Sequence, residues 1–317
     1  MKCVVLGGTG FIGSHLVNAL NDLGHEVTSL TRHAPPQNTI LSELALRNTN
    51  WQIGDYQNRE DIKKLLRGNE VCFHLISSSL PSNSNKDPSW DVSTNVCNSL
   101  HVMEEAVQAG IKNMIFISSG GTIYGEAQCS PIPETHPLEP TCSYGVTKLA
   151  IEKYLALFER LHGLPYKIIR LANPYGPGQD VNKAQGAISV FIERIRNQLP
   201  IQIWGDGSNV RDYIYIEDAV QGILAVMNHQ GPDRIFNIGS GTGSSLSEII
   251  GEISLILSPV SEIAFLPARQ FDIKYNVLDI TKAQTLLNFK TNTTLAEGVG
   301  KTIAWQNSKH LIKVVKD

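Results

Sequence analysis

Tyr144 and Lys148 stand four residues apart in the chain and can form an acid–base pair. Side chains at this spacing lie on one face of a helix. A phenol ordinarily titrates at a pH of about 10, and an ammonium beside it favours the phenolate, which accepts a proton nearer neutral pH. The lysine can also hydrogen-bond a cofactor ribose. Because the spacing also arises by chance in a chain with nine tyrosines, its meaning depends on the rest of the sequence.

A glycine-rich turn at residues 7–13, Gly-Gly-Thr-Gly-Phe-Ile-Gly, stands between two predicted elements. The apolar run 2–6 is typical of a buried parallel strand, and residues 11–23 have helical periodicity. In this context the glycines predict a dinucleotide site rather than an ordinary strand–helix turn. They permit close approach to a pyrophosphate, which the helix N-terminus then faces. The predicted contacts are Gly7, Gly10, Phe11, Ile12 and Gly13.

Arg32 and Asp55 follow the second and third predicted strands, where the adenosine of a dinucleotide would lie. An NAD site usually has an acidic residue after the second strand, and Thr31-Arg32 stands there instead. Arg32 either contacts the 2′-phosphate of NADP or is a surface arginine. Asp55 either accepts a hydrogen bond from the adenine amino group or caps the helix predicted near Arg59. The residues of this region therefore do not decide whether the cofactor is NAD or NADP.

Further polar residues are predicted at the edge of the sheet where α/β proteins bind their ligands. Ser119 and Thr122 follow the fifth predicted strand, residues 112–117, and their hydroxyls can hold a polar substrate group. Asn95 lies inside the predicted helix 90–109, where asparagine is disfavoured. It therefore either caps or kinks the helix, or binds a water near the tyrosine.

Composition excludes several classes of protein. A net charge of −3 argues against a general nucleic-acid binder. The five cysteines are scattered without a Cys-x-x-Cys pair, which favours a reducing compartment and opposes a disulfide framework and a metal site. No apolar run approaches the length of a membrane span, and the N-terminus has the pattern of a strand rather than a signal peptide. We expect a cytoplasmic protein without a metal, a nucleic-acid partner or a membrane partner.

The sequence predicts an α/β fold, namely a doubly wound parallel sheet of the Rossmann type with a smaller C-terminal α/β substrate cap. Residues 1–170 are the predicted dinucleotide-binding core, and residues 171–317 are mainly the cap. Part of 205–240 is expected to return to the core. Arg211 and Arg269 are isolated charges in this second half, suited to a bidentate grip on a diphosphate, although either one alone can be a surface charge.

The order and spacing of these motifs resemble the extended short-chain dehydrogenase/reductases. Within them the chain most resembles the NAD-dependent epimerase/dehydratase group that acts on nucleotide sugars. In that group it most resembles UDP-glucose 4-epimerase and its relatives. The resemblance covers nearly the whole chain. The matched motifs are residues 7–13, Gly54-Asp55, Asn95-Val96, Ser118-Ser119, Tyr124-Gly125, Tyr144 with Lys148, Asn173-Pro174, Arg211-Asp212-Tyr213, and Arg269 with Asp272.

This resemblance implies a role for each matched residue. Tyr144 would exchange a proton with the sugar 4-hydroxyl, Lys148 would lower the pKa of Tyr144 and bind the nicotinamide ribose, and Asn95 would support the lysine through water. The residues implied for the substrate are Asn173, Arg211 and Arg269 at the diphosphate and Asp272 near the nucleoside ribose.

The chain departs from the family pattern in three places. The family usually has Ser or Thr where Gly120 stands, so Thr122, or else Ser119, is expected to supply that hydroxyl. The acid after the second strand is missing. In the family a bulky aromatic often stands at the position matched by Asn276, which suggests room for an N-acetyl group on the sugar.

The resemblance implies epimerisation at C4 of a UDP-hexose. Hydride passes transiently to tightly bound NAD, and a 4-keto intermediate rotates before the hydride returns. A homodimer is expected through the helices that carry Asn95 and Tyr144. The rival functions are an NADP-dependent 4-ketoreductase, which Arg32 favours, and a non-catalytic dinucleotide sensor. A dehydratase is disfavoured because that branch usually carries Asp-Glu where Gly121-Thr122 stands.

Overall fold

A seven-stranded parallel sheet is the centre of the fold, in the strand order β3-β2-β1-β4-β5-β6-β10. The structure is a computed structural model that describes residues 1–35, 40–181, 186–257, 260, 262–269 and 272–314. The strands are β1 Lys2–Leu6, β2 Glu26–Thr31, β3 Asn50–Ile53, β4 Val71–His74, β5 Asn113–Ser119, β6 Tyr166–Leu171, β7 Asn173–Tyr175, β8 Ile201–Trp204, β9 Val210–Tyr215, β10 Ile235–Ile238, β11 Gly243–Ser245, β12 Ile263–Leu266 and β13 Tyr275–Asn276.

Helices cover both faces of this sheet. The helices of the described residues, on this sheet and in the C-terminal half, are α1 Phe11–Asp22, α2 Glu43–Asn48, α3 Arg59–Leu66, α4 Pro88–Asp91, α5 Asn98–Ala109, α6 Ser143–His162, α7 Ala187–Arg196, α8 Ile216–Asn228, α9 Leu246–Ile256, α10 Thr281–Leu287 and α11 Leu295–Val314. Short turns of other helix types lie at Ser84–Lys86 (3-10) and Val92–Cys97 (π). In the described ranges, no helix combines the length and apolar character needed to cross a membrane.

The predicted doubly wound parallel sheet is confirmed, and the burial of its strands explains why they read as continuous apolar runs. Alternate residues of a strand point to opposite faces. On β1, Cys3 and Val5 pack into the apolar cluster on one face, whereas Val4 and Leu6 pack into the cluster on the other. A strand covered on both sides therefore has no polar face. The order of strands changes direction between β1 and β4, and a ligand crevice forms at such a point, outside the carboxyl ends of the strands.

The predicted helix 90–109 is present as one helical segment, residues 88–109, that contains a π-helical turn. It consists of α4, the π-helical turn 92–97 and α5, which ends at Gly110 with φ of 72°. Asn95 Nδ2 donates to the carbonyl oxygen of Asp91 over 3.1 Å, so the side chain bonds the carbonyl that an α-helix pairs with the backbone N–H of residue 95. This bond lies at the π-turn, and π-turns are frequent at functional sites; the choice between the two roles of Asn95 stays a prediction.

The C-terminal half builds smaller sheets beside the carboxyl edge of the large one. Strand β9 pairs with β7, β11 and β13, and β8 pairs with β12. Strand β10 pairs instead with β6, at the end of the large sheet. Helix α8, which precedes β10 in the chain, packs on α1 and β6. The division into a core of residues 1–170 and a cap of residues 171–317 stays a prediction.

Candidate active site

Tyr144 and Lys148 lie in the first two turns of α6, beside the carboxyl ends of β4 and β5. The Lys148 Nζ atom is 5.6 Å from the centroid of the Tyr144 ring and donates a hydrogen bond to the carbonyl oxygen of Ile117 over 2.9 Å. The ring of Phe116 lies 4.7 Å from the same atom. The lysine is 5% exposed, so its ammonium depends on neighbouring groups rather than on water.

Burial sets the protonation of both residues. It lowers the pKa of Lys148 to about 8, against the opposing charges of Glu152 and Asp91. It also raises the pKa of Tyr144, and the charges of Cys142 and Asp91 raise it further. The sequence predicted a lowered pKa for Tyr144. In the protein chain alone, the loss of water around the phenol raises this pKa instead, and the effect of Lys148 on it stays a prediction.

Two serine side chains lie near the hydroxyl of Tyr144 and lower its pKa. Hydrogen bonds to the side chains of Ser119 and Ser77 favour the phenolate and oppose the effect of burial on the pKa. Thr122, the first choice from the sequence, has its Oγ1 atom buried without a hydrogen-bond partner in the described part of the chain. The geometry therefore favours Ser119 over Thr122 as the hydroxyl that replaces the one missing at Gly120.

Sequence reasoning missed Ser77 because the loop after β4 contains several serines. The signal was its position: Ser77 lies just beyond the carboxyl end of β4, as Ser119 lies at the carboxyl end of β5. Adjacent parallel strands bring such residues together at one edge of the sheet. Position alone does not show which serine of the loop faces the tyrosine.

Gly120 lacks a side chain because the C-terminal half occupies its space. A Cβ atom there would lie 2.6 Å from Leu278 Cδ1 and 3.1 Å from the carbonyl oxygen of Arg170. Asn276 is fully buried, and its Nδ2 atom donates to the carbonyl oxygen of Gly120 over 3.0 Å. The Asn276 side chain therefore holds the loop after β5 by a hydrogen bond. That position 276 leaves room for an N-acetyl group on the sugar stays a prediction.

Asn95 does not contact Lys148 directly. Its Oδ1 atom accepts from the backbone N–H of Ser78 over 2.8 Å, and its Nδ2 atom donates to Asp91 Oδ1 over 2.7 Å. The backbone carbonyl of Asn95 accepts from Ser99 Oγ over 2.6 Å. Asn95 thus ties the loop after β4 to the distorted helix, and a link to the lysine through water stays a prediction.

The glycine turn between β1 and α1, residues 7–13, is called the glycine cradle, because its glycines leave backbone atoms uncovered by side chains. Gly7 has φ of +96°, and a Cβ on Gly13 would overlap the carbonyl oxygen of Gly7. The N-cap residue Gly10 provides no side-chain cap, so the first N–H groups of α1 remain available for an anion. Phe11 and Ile12, half-buried, supply two of these groups. The donors and the shape fit a dinucleotide pyrophosphate.

Gly13→Ala is expected to lower NAD affinity by about tenfold or more, because overpacking costs about 1–3 kcal/mol and the methyl group meets backbone that must move. Gly251→Ala on α9 is the matched control, since a methyl group there meets no atom within 4 Å. Titration calorimetry with NAD measures both variants. Unchanged affinity in the Gly13 variant would exclude this turn as the pyrophosphate site.

Arg32 and Asp55 are exposed at the carboxyl ends of β2 and β3. Asp55 Oδ1 accepts from the backbone N–H of Gln57 over 2.9 Å. The N-cap of α3 is Asn58, whose side chain accepts from the N–H of Glu60. Asp55 is therefore not the helix cap, and its role at an adenine stays a prediction, as does the role of Arg32.

Each residue predicted for the diphosphate has contacts within the C-terminal half of the chain. Arg211 is half-buried, and burial lowers its pKa, while Asp272 is among the nearby groups that oppose this effect. Asn173 Nδ2 donates to the carbonyl oxygen of Asp212 over 2.9 Å, on the neighbouring strand β9. The guanidinium of Arg269 lies 4.2 Å from the centroid of the Trp204 ring, on the β8–β12 side. The structure thus brings Arg211 near Asp272 and places Arg269 against an aromatic ring.

The sheet order and the glycine cradle define a dinucleotide-binding α/β protein. Residues 3–239 match the NAD dependent epimerase/dehydratase family, and the chain belongs to this family. Among known proteins, it is 32% identical over 309 residues to a putative UDP-glucose 4-epimerase of Methanocaldococcus jannaschii, covering 97% of this chain and 99% of that one.

Two further similarities bear on function. A dTDP-4-dehydro-6-deoxyglucose reductase of Escherichia coli is 33% identical over 307 residues, covering 95% of this chain and 96% of the reductase. The solved structure of a UDP-glucose 4-epimerase with UDP-glucose, from Thermotoga maritima, superposes with a TM-score of 0.91 at 34% identity, covering 98% of this chain and 99% of that one.

Proposed function

We propose that the chain is a nucleotide-sugar 4-epimerase that acts on a UDP-hexose. The observation that carries the proposal is that Lys148 lies against the Tyr144 ring and that Ser119 and Ser77 lie near the Tyr144 hydroxyl, at the carboxyl edge of the sheet. This arrangement supports a role for Tyr144 as the proton acceptor for a sugar hydroxyl beside a nicotinamide. The similarity to UDP-glucose 4-epimerases along nearly the whole chain supports the same reaction.

In the proposed mechanism Tyr144 accepts the proton of the sugar 4-hydroxyl and later returns it. Ser119 donates a hydrogen bond to the sugar oxygen as charge moves onto it. Lys148, held by the carbonyl of Ile117, keeps a positive charge beside the phenol. NAD, when bound in the cradle, supplies the oxidation at C4 and its reversal.

Epimerisation requires tight binding of the nucleotide and few contacts to the hexose, because the keto sugar has to rotate between the two half-reactions. Arg211, Arg269 and Asn173 are proposed to hold the diphosphate, and Asp272 the nucleoside ribose. A Cβ at Gly121 would lie 3.6 Å from Asn173 Oδ1 and 3.9 Å from Ser119 Oγ, so bare backbone faces the site. A sugar beside it would have room to rotate.

A 4-ketoreductase is the second candidate. The exposed Arg32 at the end of β2 can meet a 2′-phosphate, and a reductase of a dTDP-4-keto sugar is among the similar proteins. A dehydratase is disfavoured because the positions of its usual acid pair carry Gly121 and Thr122.

A homodimer is also proposed. Apolar side chains remain exposed on the π-turn and α6: Val92 is 43% exposed and Val146 is 50% exposed. Leu157 and Leu161 continue the exposed apolar residues along α6. Apolar patches of this kind mark interaction sites.

A panel of UDP-glucose, UDP-galactose, their N-acetyl forms and UDP-glucuronate tests the function. The purified protein is incubated with each sugar, the products are identified, and the bound cofactor is released and weighed. The proposal predicts interconversion of one C4-epimeric pair with bound NAD and no net consumption of reduced cofactor. Consumption of NADPH with a 4-keto sugar would instead support the reductase, and NAD binding without turnover of any nucleotide sugar would support the sensor.

Ser119→Ala is expected to lower kcat by about 10²-fold, in the range for loss of one donor to a developing oxyanion. Thr122→Val is the matched control, since it removes a buried hydroxyl without a partner among the described residues and should leave kcat unchanged. Steady-state rates with the preferred UDP-sugar measure both. If Thr122→Val were instead the slower variant, Thr122 would supply the hydroxyl missing at Gly120, as predicted from the sequence.

A further inference from the structure

Asp91 is a carboxylate buried among the groups of the candidate active site. It is fully buried at the end of α4. Its Oδ1 atom accepts from Ser79 Oγ over 2.6 Å and from Asn95 Nδ2 over 2.7 Å, and its Oδ2 atom accepts from Ser143 Oγ over 2.6 Å. A charge removed from water needs such partners, because an unpaired buried carboxylate is costly.

These three hydrogen bonds join the segments that hold Tyr144. Ser79 belongs to the loop that also carries Ser77, and Ser143 is the first residue of α6, directly before Tyr144. The start of α6 and the loop after β4 are therefore both hydrogen-bonded to the carboxylate of Asp91. Ser77, on this loop, also lies near the hydroxyl of Tyr144, on this helix.

The charge of Asp91 also acts on the acid–base pair. In the described part of the chain, Asp91 forms no salt bridge, and Lys148 and Tyr144 both feel its charge. Other ionisable groups face the same pair from the surrounding elements. They are Glu152 on α6, His74 on β4 and Cys142 before α6.

We propose that Asp91 is a positioning residue of this active site, which fastens the start of α6 to the loop after β4 and supplies the buried negative charge that faces Lys148 and Tyr144. The proposal rests on the proposed role of Tyr144 as proton acceptor. Nothing in the sequence marked Asp91, since it lies in a short helix far in sequence from the tyrosine.

The sign of the charge effect follows from electrostatics. A carboxylate beside an ammonium or a phenol stabilises the protonated form of each, so it raises both pKa values. Loss of that charge therefore lowers the pKa of Tyr144 and of Lys148. A residue that acted only through packing would change the rate without moving either titration.

Asp91→Asn keeps the shape of the side chain and removes its charge, whereas Ser143→Ala keeps the charge and removes one hydrogen bond. The tyrosinate absorbance of NAD-saturated protein is followed from about pH 7 up to the alkaline limit of the folded protein, with the spectrum of Tyr144→Phe subtracted. We expect the midpoint to move to lower pH by about one unit in Asp91→Asn and to stay unchanged in Ser143→Ala. We also expect kcat to fall about tenfold in Asp91→Asn and several-fold in Ser143→Ala, with KM retained.

An unchanged midpoint in Asp91→Asn would overturn the proposal. If that variant does not fold, Ser143→Ala and Ser79→Ala test the proposal. Normal kcat in both would show that the hydrogen bonds to Asp91 do not position the active site. If no nucleotide sugar is turned over, the proposed function fails, but the absorbance titration still decides the effect of Asp91 on the tyrosine.

Discussion

Tyr144→Phe is expected to lower kcat by about 10²- to 10⁴-fold, the range for loss of a general acid–base group, while NAD affinity stays unchanged. The substitution removes only the hydroxyl that bonds Ser119 and Ser77. The ring and its contact with Lys148 remain. Steady-state kinetics with the preferred UDP-sugar and calorimetry with NAD measure the two effects separately.

Tyr154→Phe is the matched control for this variant. Tyr154 lies on the same helix α6, six residues beyond Lys148, and is 37% exposed. Its loss of a hydroxyl should leave kcat at the value of the unmodified protein. Near-normal turnover in the Tyr144 variant would remove the tyrosine from the mechanism and with it the proposed role of Lys148.

Glu152→Ala is expected to lower the free energy of unfolding by about 3–5 kcal/mol. Glu152 Oε2 accepts from Arg170 Nη2 over 2.8 Å, and the two side chains are 3% and 2% exposed. The variant leaves the guanidinium of Arg170 buried without its carboxylate, and an uncompensated charge in the interior is the reason for the large effect.

Glu159→Ala is the control, because Glu159 lies on the same helix and pairs with Arg234 over 2.8 Å with both side chains 33% exposed. Solvent screens this pair, so we expect a change of about 0–1 kcal/mol. Urea unfolding of both variants gives the comparison. Equal losses in the two variants would contradict the argument from burial.

The dinucleotide half was predictable because its signals are local. The strand Lys2–Leu6 has the predicted bounds, and the helix after the glycine turn begins at Phe11 as predicted. A continuous apolar run, glycines at fixed offsets and a helical period all lie within about one βα unit. Strand β10 has no comparable signal, since its place beside β6 depends on contacts between distant parts of the chain.

The details of the site were less predictable because they depend on burial and on the direction of side chains. Spacing placed Tyr144 and Lys148 on one helix face, but the pKa of the tyrosine depends on how much water the folded chain removes. Gly120 shows the same limit. Its bare backbone is explained by Leu278, which is distant in sequence and fills the space.

A UDP-hexose labelled with deuterium at C4 tests the proposed reaction most directly. The labelled sugar is incubated with the protein in ordinary water, and the position of the label in the product is read by NMR. We predict that the deuterium stays on C4 of the epimeric product, with no external cofactor consumed, because the group removed from C4 returns to the same carbon. Loss of the label to solvent, its transfer to another carbon or consumption of added cofactor would contradict a 4-epimerase.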